Sequence, residues 1–264
     1  MSLHIEQLGH GPDVVLLHGW AMHGGVFAPL VERLRDRCTL HVVDLPGHGL
    51  SHDADVPLAL DACVDAIADL VPDDALWCGW SLGGLVALRA AQRKVPMRAL
   101  AMLCASPCFV RREDWRWGMS AEIFRDFAEG LRSDWRGTLD RFLALEAFGS
   151  DHAKEELRSL RDALFARGEP AASVLADGLE LLESSDLRDA LPVLSAHSLW
   201  IAGRRDRLVD PRGMAAAAAR LDALATELVC VLRYKRHYFT AHGMNSPRIA
   251  EEFLEHATQE AVHA

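Results

Sequence analysis

The stretch Cys78-Gly79-Trp80-Ser81-Leu82-Gly83-Gly84 decides how this chain folds and which chemistry it carries. It fits the pattern Gly-x-Ser-x-Gly, with an apolar run before it and a helix-forming run after it. A strand, a sharp strained turn and a helix in that order form a nucleophile elbow, which holds the serine hydroxyl at the top of a sheet. Small residues at 79 and 83 leave room for the turn, and the helix N-terminus favours negative charge. The pattern predicts that Ser81 is a nucleophile; the alternative is a chance match in a loop.

The composition narrows the class of protein. The chain has 264 residues, half of them apolar, which suffices for one large core or for a core with a small insert. No apolar run approaches the ~18 residues that span a bilayer, and residues 1–6 do not resemble a signal peptide. The six cysteines lie mostly in apolar surroundings, which favours reduced thiols and a cytoplasmic location. The net charge of -10 argues against nucleic acid as a partner. As a default, we expect a monomer.

Strand-like and helix-like runs alternate along most of the chain. Apolar strands are predicted at Val14–Leu17, Leu40–Val43, Ala75–Cys78, Ala99–Cys104, Leu199–Gly203 and Leu228–Leu232, and helices at Val26–Arg37, Leu58–Leu70 and Gly83–Arg93. Fully apolar strands that alternate with helices are typical of a parallel sheet covered on both faces. The sequence therefore predicts an α/β fold with a mostly parallel sheet.

Residues 111–191 break this alternation. They carry charges at helical spacing and contain no convincing strand, and we predict helices at Ala121–Leu131, Trp135–Phe148, Ala153–Ala166 and Ala171–Leu182. Repeated apolar positions such as Phe124, Phe127 and Phe142 argue against a disordered linker. The predicted organisation is a core of residues 1–110 and 192–264 with an all-helical cap at 111–191.

A serine nucleophile needs a base that is oriented by a carboxylate, and each should follow a strand. Asp206 comes directly after the predicted strand Leu199–Gly203. Asp210 is a nearby competitor, but Pro211 follows it, which suits an N-cap and the first position of a helix. His237 and His242 both follow the last predicted strand. We expect Asp206 as the acid and His237 as the base, with His242 as the alternative.

The negative oxygen that forms during acyl transfer needs hydrogen-bond donors. The residue after the nucleophile supplies one, the backbone N–H of Leu82. The loop His18-Gly19-Trp20 follows an early strand, and the N–H of Trp20 is the expected second donor. For His18 we expect a structural role through hydrogen bonds to the backbone. No phosphate-binding loop or metal-ligand cluster is present, so we expect no cofactor and no metal.

Several motifs together resemble the α/β-hydrolase superfamily: His18-Gly19, the run Asp44-Leu45-Pro46-Gly47-His48-Gly49, the elbow, and Gly203-Arg204-Arg205-Asp206. The elbow Gly-Trp-Ser-Leu-Gly-Gly, Ser106-Pro107-Cys108-Phe109 and Arg141-Phe142-Leu143-Ala144-Leu145 resemble more narrowly the pimeloyl-[acyl-carrier protein] methyl ester esterase family of biotin synthesis. That resemblance implies a carboxylesterase that acts on the methyl ester of pimeloyl-acyl carrier protein, with Ser81, Asp206 and His237 as its triad.

The same resemblance implies roles for the predicted cap. Its apolar acyl channel would be lined by Phe142, Leu143, Ala144, Leu145 and Glu146. For Leu143 and Leu145, ordinary packing between cap and core is an equal alternative. An acidic carrier protein would dock on a basic patch, for which Arg136, Arg141, Lys154 and Arg158 are the candidates, against the alternative of a solvated charged face.

The segment around His237 departs from the family pattern. The family histidine usually sits in a small-residue turn, whereas Arg233-Tyr234-Lys235-Arg236 precede His237 here. Nearby positive charge disfavours the imidazolium form and lowers the pKa of a histidine. Two interpretations stay open, a tolerated divergent loop and a site of reduced activity. The alternative functions are a less specific esterase, thioesterase or carbon–carbon hydrolase, and a ligand-binding hydrolase fold.

Overall fold

The computed structural model describes residues 2–146, 153–203, 206–221 and 227–232. Its core is a seven-stranded sheet in the order β1-β3-β2-β4-β5-β6-β7. The strands are β1 (Ile5–Gly9), β2 (Asp13–Leu17), β3 (Thr39–Val43), β4 (Leu76–Trp80), β5 (Ala99–Leu103), β6 (His197–Gly203) and β7 (Glu227–Leu232). All neighbouring strands are parallel except β1 and β3. The predicted α/β fold with a mostly parallel sheet is confirmed.

Helices flank this sheet, and several of them lie in the chain segment between β5 and β6. The helices are α1 (Ala28–Leu34), α2 (Leu60–Ala68), α3 (Leu82–Gln92), α4 (Ala121–Ser133), α5 (Trp135–Glu146), α6 (Ala153–Phe165), α7 (Ala172–Ser184) and α8 (Pro211–Ala218). The helix predicted from Val26 to Arg37 is divided into a 3₁₀ turn, Gly24–Phe27, and α1, because Pro29 lies in the first turn of α1 and favours a new helix start. Asp210 is the N-cap of α8, as predicted.

The helices α4 to α7 form the insert that the sequence predicts between two strands. Each has an apolar side that packs on its neighbours or on the core, with one buried residue from each helix given by Phe124, Leu143, Leu160 and Leu175. The boundaries 111 and 191 of a separate cap domain stay a prediction. None of the helices in the described ranges is long and apolar enough to cross a membrane.

The order of the strands fixes where a site can form. The chain runs from β2 outward to β3 and then returns to β4 on the other side of β2. In open α/β sheets, such a reversal leaves a crevice at the carboxyl ends of the two strands concerned. The loop that follows β2 and the turn that follows β4 therefore meet at this edge, and those segments contain Trp20 and Ser81.

Candidate active site

Ser81 occupies a strained turn between β4 and α3. Its φ of 53° and ψ of -113° lie outside the regions that ordinary residues adopt. A side chain on Gly79 would meet the backbone of Gly83, and a side chain on Gly83 would meet the carbonyl groups of Leu17 and His18. The two glycines of the pattern are thus required by close backbone contacts on either side of the serine.

Backbone hydrogen bonds hold the elbow in this conformation. The N–H of Ser81 donates to the carbonyl oxygen of Leu103 at 3.1 Å, and the N–H of Gly84 donates to the carbonyl oxygen of Ser81 at 2.9 Å. Cys78, the other side chain of the elbow with nucleophilic potential, is fully buried, and burial raises the pKa of its thiol. The hydroxyl of Ser81 is consequently the candidate nucleophile that the elbow presents at the edge of the sheet.

The loop after β2 lies directly above Ser81. A methyl group on Gly19 would be 3.2 Å from Cβ of Ser81, which is tighter than most contacts of this kind, so glycine lets the loop come this close without displacing the serine. The Nδ1–H of His18 donates to the carbonyl oxygen of Gly19 at 2.9 Å. Because the C=O and N–H of one planar trans peptide point in opposite directions, the N–H of Trp20 points away from His18. Within the described ranges, the amides of Trp20 and Leu82 donate to no backbone carbonyl.

Burial keeps His18 neutral. It lowers the pKa of His18 to about 3, and His48 beside it acts in the same direction. Since Nε2 accepts a hydrogen bond from the N–H of Leu45 at 2.9 Å, the single ring proton is assigned to Nδ1. His18 therefore shapes the loop and is unsuited to serve as the base, which fits its expected structural role.

Asp206 lies at the same edge of the sheet, immediately beyond β6. Its Oδ1 accepts hydrogen bonds from the N–H groups of Leu208 and Val209, both at 2.9 Å, and these fix the carboxylate in its turn. One strand, β5, separates the ends of β4 and β6, which places them roughly 10 Å apart. An imidazole between Ser81 and Asp206 can bridge such a distance.

The strand β7 ends beside β6, where Leu232 pairs with Gly203. The chain thus leaves β7 next to Asp206, at the edge where a base is needed. Both candidate bases, His237 and His242, lie outside the described residues. Arg204 and Arg205, which belong to the Asp206 motif, also lie outside them.

A small apolar cavity of about 30 Å³ opens at Ser81. Trp20 and two aromatic residues of the insert, Phe127 and Phe142, form one wall, with ring centroids 4.8 to 6.3 Å apart and edge-to-face geometry. The remaining lining residues are Phe109, Met119, Ile123, Phe124, Leu179, Leu182 and Leu208. The site therefore combines a polar edge with a narrow chamber whose lining is mostly apolar.

Comparisons with known proteins agree with this geometry. The model of the alpha/beta hydrolase family matches residues 14–240. The chain belongs to the alpha/beta hydrolase family. It is 62% identical over 218 residues to the pimeloyl-[acyl-carrier protein] methyl ester esterase of Xanthomonas campestris pv. campestris (strain B100), which covers 83% of this chain and 86% of the relative. It is 54% identical over 260 residues, 98% of this chain and 94% of the relative, to the protein of that name from Stenotrophomonas maltophilia (strain R551-3).

Solved structures share the fold of this chain at low sequence identity. An esterase from Exiguobacterium antarcticum has a TM-score of 0.83 at 19% identity and covers 97% of this chain and 95% of its own. A bromoperoxidase from Bacillus anthracis has a TM-score of 0.84 at 17% identity, with coverages of 97% and 95%. The predicted resemblance to the hydrolase superfamily, and within it to the pimeloyl-[acyl-carrier protein] methyl ester esterases, is confirmed.

The residues predicted to line the channel of this hydrolase point in different directions on α5. Phe142 lines the cavity, whereas Leu143 is buried in the core, Ala144 is exposed and Leu145 is half-buried. Glu146 is the last residue of α5, and its side chain lies outside the described part of the structure. Successive residues of a helix are about 100° apart, so a run of five cannot face one cavity together. Phe124 and Phe127, one turn apart on α4, also line the cavity, although their spacing in the sequence predicts only an apolar helix face.

The four candidates for carrier docking differ in their surroundings. Arg136 donates to both carboxylate oxygens of Glu169, at 2.6 and 2.8 Å. Arg141 is exposed and donates to the hydroxyl of Thr138 on its own helix at 2.8 Å. Lys154 and Arg158 are exposed, one turn apart on α6. All four side chains are exposed.

Proposed function

We propose that this chain is a serine carboxylesterase that hydrolyses the methyl ester of pimeloyl-acyl carrier protein in biotin biosynthesis. The observation that carries the proposal is the position of Ser81, on a strained elbow beneath the Gly19–Trp20 loop and at the mouth of an apolar cavity. The name of the relatives at 54% and 62% identity supports the choice of substrate.

The first half of the reaction forms an acyl-enzyme. The hydroxyl of Ser81 attacks the ester carbonyl while His237, or else His242, takes its proton, and Asp206 orients and stabilises the imidazolium. The N–H groups of Trp20 and Leu82 donate to the negative oxygen of the tetrahedral intermediate. As the intermediate collapses, the carbon–oxygen bond to the methoxy group breaks, and the imidazolium returns the proton to release methanol.

The second half regenerates the serine. Water loses a proton to the same histidine and attacks the acyl carbonyl, and the bond to Ser81 breaks when the histidine protonates the serine oxygen. The product is the free carboxylate of the pimeloyl chain. No cofactor takes part in this scheme, because every proton and electron pair is supplied by the triad, the ester and water.

The apolar cavity would bind the alkyl part of the substrate. Phe127 and Phe142 belong to the helical insert, whereas Trp20 belongs to the core, so the acyl chain would lie between the two. The carrier protein would dock outside this cavity, on the exposed side chains of Lys154 and Arg158. Its acidic surface makes electrostatic attraction the natural source of recognition.

A cytoplasmic location and a monomeric state complete the proposal. Cys38, Cys63, Cys78, Cys104 and Cys108 are buried free thiols, as expected of a chain in a reducing compartment. The partner would be the acyl carrier protein that bears the ester, with no membrane or nucleic acid involved.

The substrate proposal is tested by comparing carrier-bound pimeloyl methyl ester with a panel of short p-nitrophenyl esters. We expect kcat/KM to be highest for the carrier-bound ester and expression of the chain to restore growth of a biotin auxotroph that lacks this esterase. Equal or better turnover of the short esters, without rescue, would instead favour a less specific esterase. No turnover of any ester would favour a ligand-binding hydrolase fold.

The docking proposal is tested by reversing charge on α6. The double variant Lys154→Glu/Arg158→Glu should raise KM for the carrier-bound ester and leave that for a p-nitrophenyl ester unchanged. Arg161→Glu is the matched control, because Arg161 is on the same helix and pairs with Asp140 inside the insert. Equal effects on both substrates would refute docking at this position.

The base is assigned by paired substitutions. We expect His237→Ala to reduce kcat by several orders of magnitude and His242→Ala to have a small effect. The reverse pattern would transfer the role to His242. Full activity of both variants would show that neither histidine is the base.

A further inference from the structure

We propose that Arg167, in the segment between α6 and α7, is a positioning residue of the esterase, which acts through the buried carboxylate of Asp44 on the loop that carries the Trp20 amide. This inference rests on the proposed function, since it concerns the geometry of the oxyanion donors. It assigns a role in the chemistry to the contact between the insert and the core.

Asp44 is a fully buried carboxylate at the end of β3. Its Oδ1 accepts the N–H of Gly24 at 2.6 Å, and its Oδ2 accepts the N–H of Leu50 at 2.8 Å. One carboxylate therefore joins the loop after β2 to the loop after β3. A buried charge of this kind needs a counter-charge, because its desolvation is costly.

Arg167 provides that counter-charge from the insert. Its Nη1 lies 3.3 Å from Oδ1 and 3.2 Å from Oδ2 of Asp44, and its Nη2 donates to Oε2 of Glu6 at 2.9 Å. Arg167 is only 19% exposed, so the contact is largely shielded from water and from salt. The guanidinium thus fixes the carboxylate that in turn fixes Gly24.

Two further hydrogen bonds connect the same loop to the insert. The indole N–H of Trp20 donates to the carbonyl oxygen of Leu175 at 2.8 Å. His23 accepts the N–H of Gly25 on Nδ1 at 3.0 Å, so its proton is on Nε2, which donates to the carbonyl oxygen of Ala163 at 2.6 Å. The loop is therefore held by the insert at Trp20, at His23 and, through Asp44 and Arg167, at Gly24.

These contacts converge on a part of the protein where small displacements matter. An oxyanion donor acts at 2.7–3.1 Å from the developing charge, and the loss of one donor costs about 10²–10³ in kcat. If Arg167 is removed, Asp44 keeps its two amide donors but loses its counter-charge, and the loop shifts or loosens. The variant should therefore lose stabilisation of the transition state, whereas its ground-state binding of substrate should be nearly unchanged.

The test compares Arg167→Gln with wild type on p-nitrophenyl butyrate at 25 °C. This ester needs Ser81 and the oxyanion donors but not the carrier protein, so the result does not depend on the natural substrate. We expect kcat to fall roughly 10- to 50-fold with KM within about twofold. Affinity for an alkyl trifluoromethyl ketone, which forms a tetrahedral adduct with the serine, should fall by a similar factor.

Two variants keep the test decisive. Arg161→Gln removes a neighbouring arginine that pairs with Asp140 inside the insert, and we expect its kcat within about twofold of wild type. Arg167→Lys retains the charge but not the guanidinium fork, and we expect a smaller loss of kcat and of ketone affinity. If Arg167 had a merely structural role, its substitution would lower the melting temperature but leave kcat and the affinity for the ketone unchanged.

The proposal is overturned if folded Arg167→Gln retains wild-type kcat and ketone affinity. If Arg167→Gln does not fold, the same result with folded Arg167→Lys overturns it. Absence of esterase activity in the wild type, or its retention in Ser81→Ala, is a separate outcome that bears on the proposed function. In that case ketone binding by the wild type and the variants still tests the effect of Arg167 on the oxyanion donors.

Discussion

His18 and Gly19 are joined by a hydrogen bond between adjacent residues, in which the imidazole Nδ1–H of His18 donates to the carbonyl oxygen of Gly19 at 2.9 Å. The other ring nitrogen accepts the N–H of Leu45 at 2.9 Å. One neutral imidazole thus ties the end of β2 to the end of β3 and sets the plane of the Gly19–Trp20 peptide. The direction of the Trp20 amide, on which the proposed oxyanion site depends, follows from that plane.

Replacing His18 should impair catalysis more than binding. His18→Ala removes the contact to Gly19 and leaves the buried N–H of Leu45 without its acceptor, at a cost of about 1–3 kcal/mol in the free energy of unfolding. We expect kcat for a p-nitrophenyl ester to fall roughly 10- to 100-fold, because the Trp20 amide is no longer held in place. Steady-state kinetics and urea denaturation measure the two effects separately.

His52 offers the matched control for that substitution. Its Nδ1 contacts the carbonyl oxygen of Gly49 at 3.0 Å, but the side chain is exposed. His52→Ala should leave kcat and stability close to those of wild type. A similar loss in both variants, or a normal kcat in His18→Ala, would show that the His18 contact does not position the donor.

The stability of the fold should decrease as the pH falls through the weakly acidic range. Burial lowers the pKa of His18 to about 3 and that of His48 to about 4, from an ordinary value of 6.5. The unfolded chain therefore takes up protons below pH 6.5 that the folded chain does not, so stability is full above pH 6.5 and is lost down to about pH 4. The slope should be about 1 kcal/mol per pH unit for each of these histidines.

Urea denaturation between pH 7.5 and 4.5 tests this dependence. His48 suits the comparison because its Nε2 is buried and has no hydrogen-bond partner in the described part of the chain. His48→Leu should flatten the slope, whereas His52→Leu, at an exposed site, should not. A stability that stays constant from pH 6.5 to 4.5 in the wild type would contradict the neutral, buried state of these histidines.

The aromatic wall of the cavity should set the preferred chain length. Phe127→Leu leaves more space beside Trp20 and Phe142, and we expect the ratio of kcat/KM for p-nitrophenyl octanoate to that for the acetate to rise roughly 3- to 10-fold. Phe165→Leu serves as the control, because Phe165 is a half-buried aromatic residue of the same insert that does not line the cavity. An unchanged ratio in Phe127→Leu would place the acyl chain elsewhere.

Much of this fold is readable in the sequence because its signals are local. The strands β2 to β7 are short apolar runs, and the elbow and the Asp210 cap are patterns of adjacent residues. The strand β1 is not predicted from the sequence, because Ile5–Gly9 is a half-exposed strand at the edge of the sheet, where only one face needs to be apolar.

Other parts depend on contacts between distant residues. Asp44 and Arg167 are 123 residues apart in the chain, and neither carries a local pattern that points to the other. The cavity wall presents a similar case, since the apolar spacing of Phe124 and Phe127 predicts a buried helix face but not what that face covers. The fold arranges these residues around Ser81, and only the packed structure reveals their part in the site.

The most direct test of the account is methanol release from carrier-bound pimeloyl methyl ester by the wild type and by Ser81→Ala. We predict that the wild type turns over many equivalents and that Ser81→Ala, folded to the same extent, loses at least about 10⁴ in kcat. Retention of the wild-type rate by Ser81→Ala, or failure of the wild type to release methanol, would contradict the assignment of this chain as an esterase that uses Ser81.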